Sequence, residues 1–243
     1  RGKILDKNGN VLAKTDTASD GTQTRDYPYG NVFAHVVGYS AQGKSGIESL
    51  ENTELMNSDE NFLIKLKNQL QDKKNVGNTV ITTLDADLQQ AAYQALGDNR
   101  GAVVVMDPKT GKILAMVSKP DFDPNTVVAD WDTLSSSGDS VLLNRATQGQ
   151  YAPGSTFKVV TTLEYMRENP DYASYSYNCR GSIERDGIRI HCYNGHVHGQ
   201  VDLQDSLAYS CNASFSNIGL SLDPSKFKNT AEAVLFDSKL PSD

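Results

Sequence analysis

"YAPGSTFK" at residues 151–158 runs directly into "VVTTLEYM" at residues 159–166. The first string is loop-like and the second is an apolar helical run. Ser155 and Lys158 therefore stand three apart where a helix begins. Residues at i and i+3 share a helix face, so the serine Oγ and the lysine Nζ can meet. A serine hydroxyl is a poor nucleophile until a base takes its proton. A lysine becomes such a base when burial or a nearby cation lowers its pKa. The Ser155 N–H, unpaired at a helix start, can face a developing oxyanion. Gly154 before it lets a substrate approach closely. S-x-x-K is a short pattern that chance supplies often. Its plain alternative is a serine near a helix start with a solvated lysine one turn on.

A second short pattern, "SCN" at residues 210–212, falls between two helical pieces in "DLQDSLAYSCNASFSNIGL". Ser210 and Asn212 are two apart in that break and can line one cleft, the hydroxyl relaying a proton and the amide holding a substrate carbonyl. Their ordinary alternative is a helix cap, a role that suits both residue types. S-x-x-K followed 55 residues later by S-x-N is the pairing of penicillin-binding proteins and class A β-lactamases.

The rest of the chain sets the frame. Its 243 residues give room for one large domain or two small ones, with 38% hydrophobic and 22% charged residues. The net charge of −7 argues against nucleic acid as a partner. No apolar run reaches the ~18–20 residues that span a bilayer. Residues 1–78 are polar, with short apolar segments and a rough helical pattern in "DENFLIKLKNQLQDKKN". From residue 79 the pattern sharpens. "TVITTL" predicts a strand, and Asp85 caps a helix whose face is Leu88, Ala91, Ala92, Ala95 and Leu96, stopped by Gly97. "GAVVVMDPKTGKILAMVS" predicts a hairpin, and "CRGSIERDGIRIHC" a second one turning at Asp186-Gly187. Strands and helices without regular βαβ alternation predict an α+β fold.

The whole chain resembles the class B penicillin-binding proteins, monofunctional D,D-transpeptidases of the bacterial cell wall. "RGKILDKNGNVLA" looks like that family's segment just after the membrane anchor, and "YPYGNVFAHVVGYS" and "GKSGIE" look like its N-terminal module. "GAVVVMDPKTGKILAMVSKPDFDPN" and "NRATQGQYAPGSTFK" look like the start of its transpeptidase domain. The resemblance implies a penicilloyl-serine transferase fold, mainly antiparallel sheet with flanking helices, over residues 79–243, and a non-catalytic pedestal over 1–78. It also implies Ser155 as acylated nucleophile, Lys158 as general base, Ser210 as proton relay to the leaving D-alanine, and Asn212 as the group orienting the substrate peptide. The partners implied are peptidoglycan stem peptides, β-lactams and membrane proteins of wall synthesis, with the catalytic domain outside the cell on a single-pass anchor that this sequence lacks. No cofactor is required. A penicillin-sensing or scaffolding protein and a β-lactamase are the alternatives on the same fold. One departure stands out: the family's third motif, K-T/S-G on a strand downstream of S-x-N, is absent. The "KTG" at residues 109–111 lies upstream, in a predicted turn. The chain reads as a piece of something longer, with the third motif expected beyond residue 243.

A separate cluster packs Cys179, His191, Cys192, His196 and His198 into 20 residues, two of the three cysteines and three of the four histidines. The Asp-Gly turn places Cys179 and Cys192 opposite or nearly opposite each other on paired strands. Two outcomes stay open: a Cys179–Cys192 disulfide or free thiols, or a structural zinc held by Cys179, Cys192, His196 and His198. Cys211 reads as a small core filler.

Overall fold

The computed structural model describes residues 1–59, 61–70 and 75–238. Parts of "DENFLIKLKNQLQDKKN" and the last five residues lie outside the described residues. The chain forms two compact units, residues 1–150 and residues from Tyr151 onward.

In the first unit, β1 (Ile4–Leu5), β2 (Val11–Thr17), β3 (Gln23–Asp26) and β4 (Val80–Ile81) form one sheet in the order β3-β2-β1-β4. The β1–β4 pair is parallel and the others antiparallel. The helices α1 (Ala34–Val37), α2 (Gly46–Leu50), α3 (Asn52–Met56) and α4 (Phe62–Leu70) fall between β3 and β4. Ile4, Leu12, Phe33, Val37 and Leu55 bury against Leu84 and Ala86. The expected boundary at residues 78/79 thus lies inside this unit, because β4 and the residues after it share the core of the N-terminal stretch. Asp6 ties the same two regions together. Fully buried, it accepts hydrogen bonds from the Asn8 and Asn10 N–H groups at 2.8 Å each, from Asn10 Nδ2 at 2.9 Å, and from the Ala86 N–H at 3.1 Å.

Ala86 opens α5 (Ala86–Leu96), and Asp85 caps it as predicted, accepting from the Asp87 and Leu88 N–H groups. The predicted face is half right. Leu88, Ala92 and Leu96 pack inward, but Ala91 and Ala95 are exposed and Gln89 is fully buried in their stead. Gln89 behaves as a short length of strand. Its Nε2 donates to the Met116 and Val32 carbonyls at 2.8 Å each, and its Oε1 accepts from the Met116 N–H at 2.7 Å. Met116 belongs to β6 (Ile113–Lys119), which pairs antiparallel with β5 (Gly101–Met106) in the predicted hairpin. Lys109 sits exposed in its turn, where Asp107 accepts from the Lys109 N–H and the Thr110 hydroxyl. "KTG" at 109–111 is a turn, as its position in the sequence implies. The loop after β6 carries α6 (Trp131–Ser135), which packs with buried Phe122 and Val127.

The second unit starts with a 3-10 turn over Gly154–Phe157 that feeds α7 (Lys158–Glu168). Three strands follow, β7 (Tyr177–Cys179), β8 (Ser182–Arg185) and β9 (Ile188–His191), then β10 (Gly199–Val201). β8 and β9 form the predicted hairpin around Asp186 and Gly187, both at positive φ (49° and 78°), the backbone of a type I′ turn. Cys179 is not opposite Cys192, contrary to the sequence reading. β7 pairs with β10, with Cys179 across from Gly199, while Cys192 follows the end of β9. The unit closes with α8 (Leu203–Ala208), α9 (Asn212–Ser221) and α10 (Pro224–Ala233). Phe215 and Ile218 of α9 and Leu203 of α8 pack against Tyr165 of α7, which brings the start of α9 beside the start of α7.

Candidate active site

Ser155 sits in the 3-10 turn, not in the first turn of an α-helix, and α7 begins at Lys158. The pairing survives because side chains three apart eclipse on a 3-10 turn. Lys158 Nζ lies 3.3 Å from Ser155 Oγ. Gly154 has φ +55° with nothing within 4 Å of a would-be Cβ, so glycine is favoured here by backbone conformation and not by space. Ser155 and Ser210 are both exposed.

The "SCN" segment lies, as predicted, in the break between α8 and α9. Ser210 takes a left-handed backbone, φ +52°, a strained choice for a serine. This turn directs three acceptors at one ammonium. Lys158 Nζ lies 2.8 Å from Ser210 Oγ, 2.7 Å from the Ser210 carbonyl and 2.7 Å from Asn212 Oδ1. Asn212 is fixed at its other end, where Nδ2 donates to the His191 carbonyl at 2.9 Å. One N–H of that amide stays available for a substrate carbonyl. Burial holds the Lys158 pKa below the ordinary lysine value. A neutral amine here has two N–H bonds to give, and the Ser210 carbonyl and Asn212 Oδ1 take both. Its lone pair is then left for a serine hydroxyl proton. All four residues proposed from sequence are brought together.

The Cys/His cluster comes together in altered form. Cys179, Cys192 and Cys211 are free, buried thiols. Sγ of Cys192 is 3.7 Å from that of Cys179 and 3.8 Å from that of Cys211, and Cys179 Sγ is 3.4 Å from His198 Nδ1. These three Sγ atoms and the nearest His198 ring nitrogen all lie within 4.8 Å of one another. His196 and His191 are not in this group. His196 instead sets its ring edge-on to His198 at 4.7 Å, and His191 contributes its carbonyl to Asn212. Cys211, read as filler, takes the fourth place because the N-cap of α9 turns its side chain inward. The signal was present in the sequence: Cys211 is the middle residue of "SCN", so whatever fixes Ser210 and Asn212 also fixes it. Burial opposes ionisation of Cys179, but hydrogen bonds with His198 and the Gly181 N–H outweigh it and bring the thiol down to about 6. Burial pushes the Cys211 thiol up to about 12.

Family models match nearly the whole chain. The penicillin binding protein transpeptidase domain covers residues 101–243, and the penicillin binding protein A dimerisation domain covers residues 1–80. The chain belongs to the penicillin-binding protein transpeptidase family. It is 35% identical to the peptidoglycan D,D-transpeptidase PbpA of Mycolicibacterium smegmatis over 100% of this chain and 53% of that protein. Among solved structures, penicillin-binding protein A from M. tuberculosis aligns with TM-score 0.87 at 30% identity, over 98% of this chain and 59% of that one. The D,D-transpeptidase domain from Eggerthella lenta aligns with TM-score 0.84 at 34% identity, over 99% and 54%. The M. tuberculosis protein has also been solved as a penicillin G acyl-enzyme. The chain spans about half the length of the curated relatives it matches. The α+β penicilloyl-serine transferase fold expected from the sequence is the fold of this family.

Proposed function

We propose that the protein bearing this chain is a serine D,D-transpeptidase of peptidoglycan and that Ser155, Lys158, Ser210 and Asn212 are its catalytic residues. The observation that carries the reading is Lys158 Nζ, held within hydrogen-bond reach of both serine hydroxyls and the Asn212 amide at once. Neutral Lys158 accepts the Ser155 Oγ proton as Oγ bonds to the carbonyl carbon of the penultimate D-alanine of a stem peptide. The Ser155 N–H donates to the oxyanion that forms. The C–N bond to the terminal D-alanine then breaks, and its nitrogen receives a proton through Ser210 Oγ. An acyl ester remains on Ser155. The amine of a neighbouring strand attacks that ester, gives up a proton along the same route, and leaves with the acyl group while Ser155 Oγ is reprotonated. A β-lactam enters by the same attack, but its amine stays tethered and the ester persists.

No helix among the described residues is long and apolar enough to cross a membrane. The envelope setting we infer, with catalysis on the outer side of the cytoplasmic membrane and wall-synthesis proteins as neighbours, follows from where the substrate is.

The test uses the protein expressed from its full native gene, a stem pentapeptide donor and a D-amino acid acceptor. Release of D-alanine together with a donor–acceptor product is expected. Release with water as the only acceptor would make it a hydrolase. No release, with β-lactam binding intact, would make it a sensor.

A further inference from the structure

The N-terminal sheet buries an arginine whose donors are not all used. Arg25 lies on β3 opposite Thr15 of β2, and its side chain is only 8% exposed. An arginine carries five N–H donors. Nε of Arg25 donates to Glu48 Oε1 at 2.6 Å, and Nη1 donates to the Gly2 carbonyl at 2.6 Å and to Thr15 Oγ1 at 3.1 Å. The other two donors are on Nη2, which is buried and has no hydrogen-bond partner. Glu48, the carboxylate that Arg25 binds, is fully buried and shared, since Arg1 Nε donates to its Oε2 at 3.0 Å. The charge on Arg25 is therefore only partly answered, in a place where water screens it poorly. Such a group calls for an anion.

Arg25 also lines a cavity of about 380 Å³ beside β2 and β3, within the range of small-molecule sites. Thr15, Thr24 and Ser40 bring hydroxyls to its lining, and Pro124, Val127 and Val128 bring apolar surface. No carboxylate of the described residues lines it. The cavity is formed in advance of any ligand. Asn125 Oδ1 accepts from the Tyr27 N–H at 2.9 Å, and Asn125 Nδ2 donates to the Tyr27 carbonyl at 3.1 Å. This pair pins the loop that carries Val127 and Val128 to the residue following β3. Val127 is 2% exposed and packs with Phe122, so that wall is firm.

We propose that this cavity binds the carboxylate of a small organic ligand, either a free acid or a peptide C-terminus. The carboxylate takes the Arg25 Nη2 donors, and the apolar end of the ligand packs on Val127 and Val128. A cation is repelled by Arg25, and a neutral ligand leaves its charge unanswered. A phosphate wants donors around three oxygens, whereas here one guanidinium nitrogen and a few hydroxyls face an apolar wall. An anion that is charged at one end and apolar at the other matches both sides. The site belongs to the N-terminal unit alone and does not rest on the catalytic reading above.

The test is methyl NMR on the protein from the full native gene, read at the Val127 and Val128 signals. Propanoate, its uncharged amide propanamide, L-trialanine and inorganic phosphate are titrated separately at constant ionic strength. Propanoate should shift both signals with a Kd of about 1 mM or below. Propanamide should bind at least about tenfold more weakly, because the charge-assisted bond is lost. L-Trialanine binding as tightly as propanoate would make the ligand a peptide C-terminus, and binding about tenfold weaker would make it a free acid. Arg25→Gln removes a partner of buried Glu48 and can misfold the sheet, so Val128, 60% exposed, carries the variant test. Val128→Asp should weaken propanoate at least about tenfold by like-charge repulsion, and Val128→Asn by less than about threefold. Prior acylation with benzylpenicillin should leave the propanoate shifts unchanged. No shift below about 50 mM propanoate, or propanamide or phosphate binding as tightly as propanoate, would overturn the proposal. So would equal propanoate binding by Val128→Asp, or loss of binding on acylation, which would put the ligand in the Ser155 cleft.

Discussion

At the scale of single residues, the proposed chemistry turns on Lys158. Arginine in its place keeps the charge but stays protonated near neutral pH, so it cannot take the Ser155 proton. Lys158→Arg should cut the rate of penicillin acylation at least ~100-fold, the scale of general-base catalysis, by stopped-flow on the full-length protein. A near-normal rate would make the lysine an electrostatic neighbour only. The pH dependence follows from the same group. Burial lowers the Lys158 pKa below that of an ordinary lysine, so its neutral form grows as pH rises through that depressed value. Acylation should therefore increase with pH on a limb lying below the ordinary lysine range, and that limb should vanish in Lys158→Arg. The proximity of Ser155 and Lys158 was legible because it is local: three residues apart on a tight turn. The Ser210 partnership was legible only as a motif, since the contact spans 52 residues. Cys211 is the buried core residue that its type suggests, but its closeness to Cys192 was not legible, because it depends on how distant elements converge.

Among elements, α5 shows where periodicity succeeds and where it stops. Cap, length and stop were readable in Asp85, the apolar spacing and Gly97. The buried face was not, because Ala91 and Ala95 are small enough to be exposed without penalty, while Gln89 is buried to pair the Met116 backbone. Gln89→Ala would strand a buried N–H and two carbonyls. We expect a loss of about 2–4 kcal/mol in denaturant unfolding, since each unmade buried partner costs ~1–3 kcal/mol with partial relief from water. A loss under about 0.5 kcal/mol would show that water replaces the amide. The β8–β9 hairpin was read correctly from Asp186-Gly187, since two positive φ angles in sequence need those residue types. The pairing of β7 with β10 was missed because three-residue strands carry no period.

For the molecule as a whole, family-length strings told more than composition, which marked only an ordinary globular chain. The division near residue 150 had no signal, because it depends on which surfaces share a core, as Leu84 and Ala86 do with Ile4 and Phe33. Asp6 stands at that shared core and gives it an acid dependence. Burial alone would raise its pKa, but hydrogen bonds from Asn10, Ala86 and Asn8 outweigh burial and lower it from 3.8. Its stabilising contribution is then present above the unfolded value and is lost as pH falls through the lower folded one. Asp6→Asn should reduce stability at pH 7 and flatten its decline below about pH 4, as read by urea unfolding at several pH values. An unchanged acid limb would assign the decline to other carboxylates. The claim on which everything else depends is that Ser155 is the residue acylated. Peptide mapping by mass spectrometry, after benzylpenicillin treatment of the full-length protein, tests it most directly. The account predicts the penicilloyl group on the peptide containing Ser155, and none on Ser155→Ala. A penicilloyl group on any other residue, or undiminished labelling of the alanine variant, would contradict it.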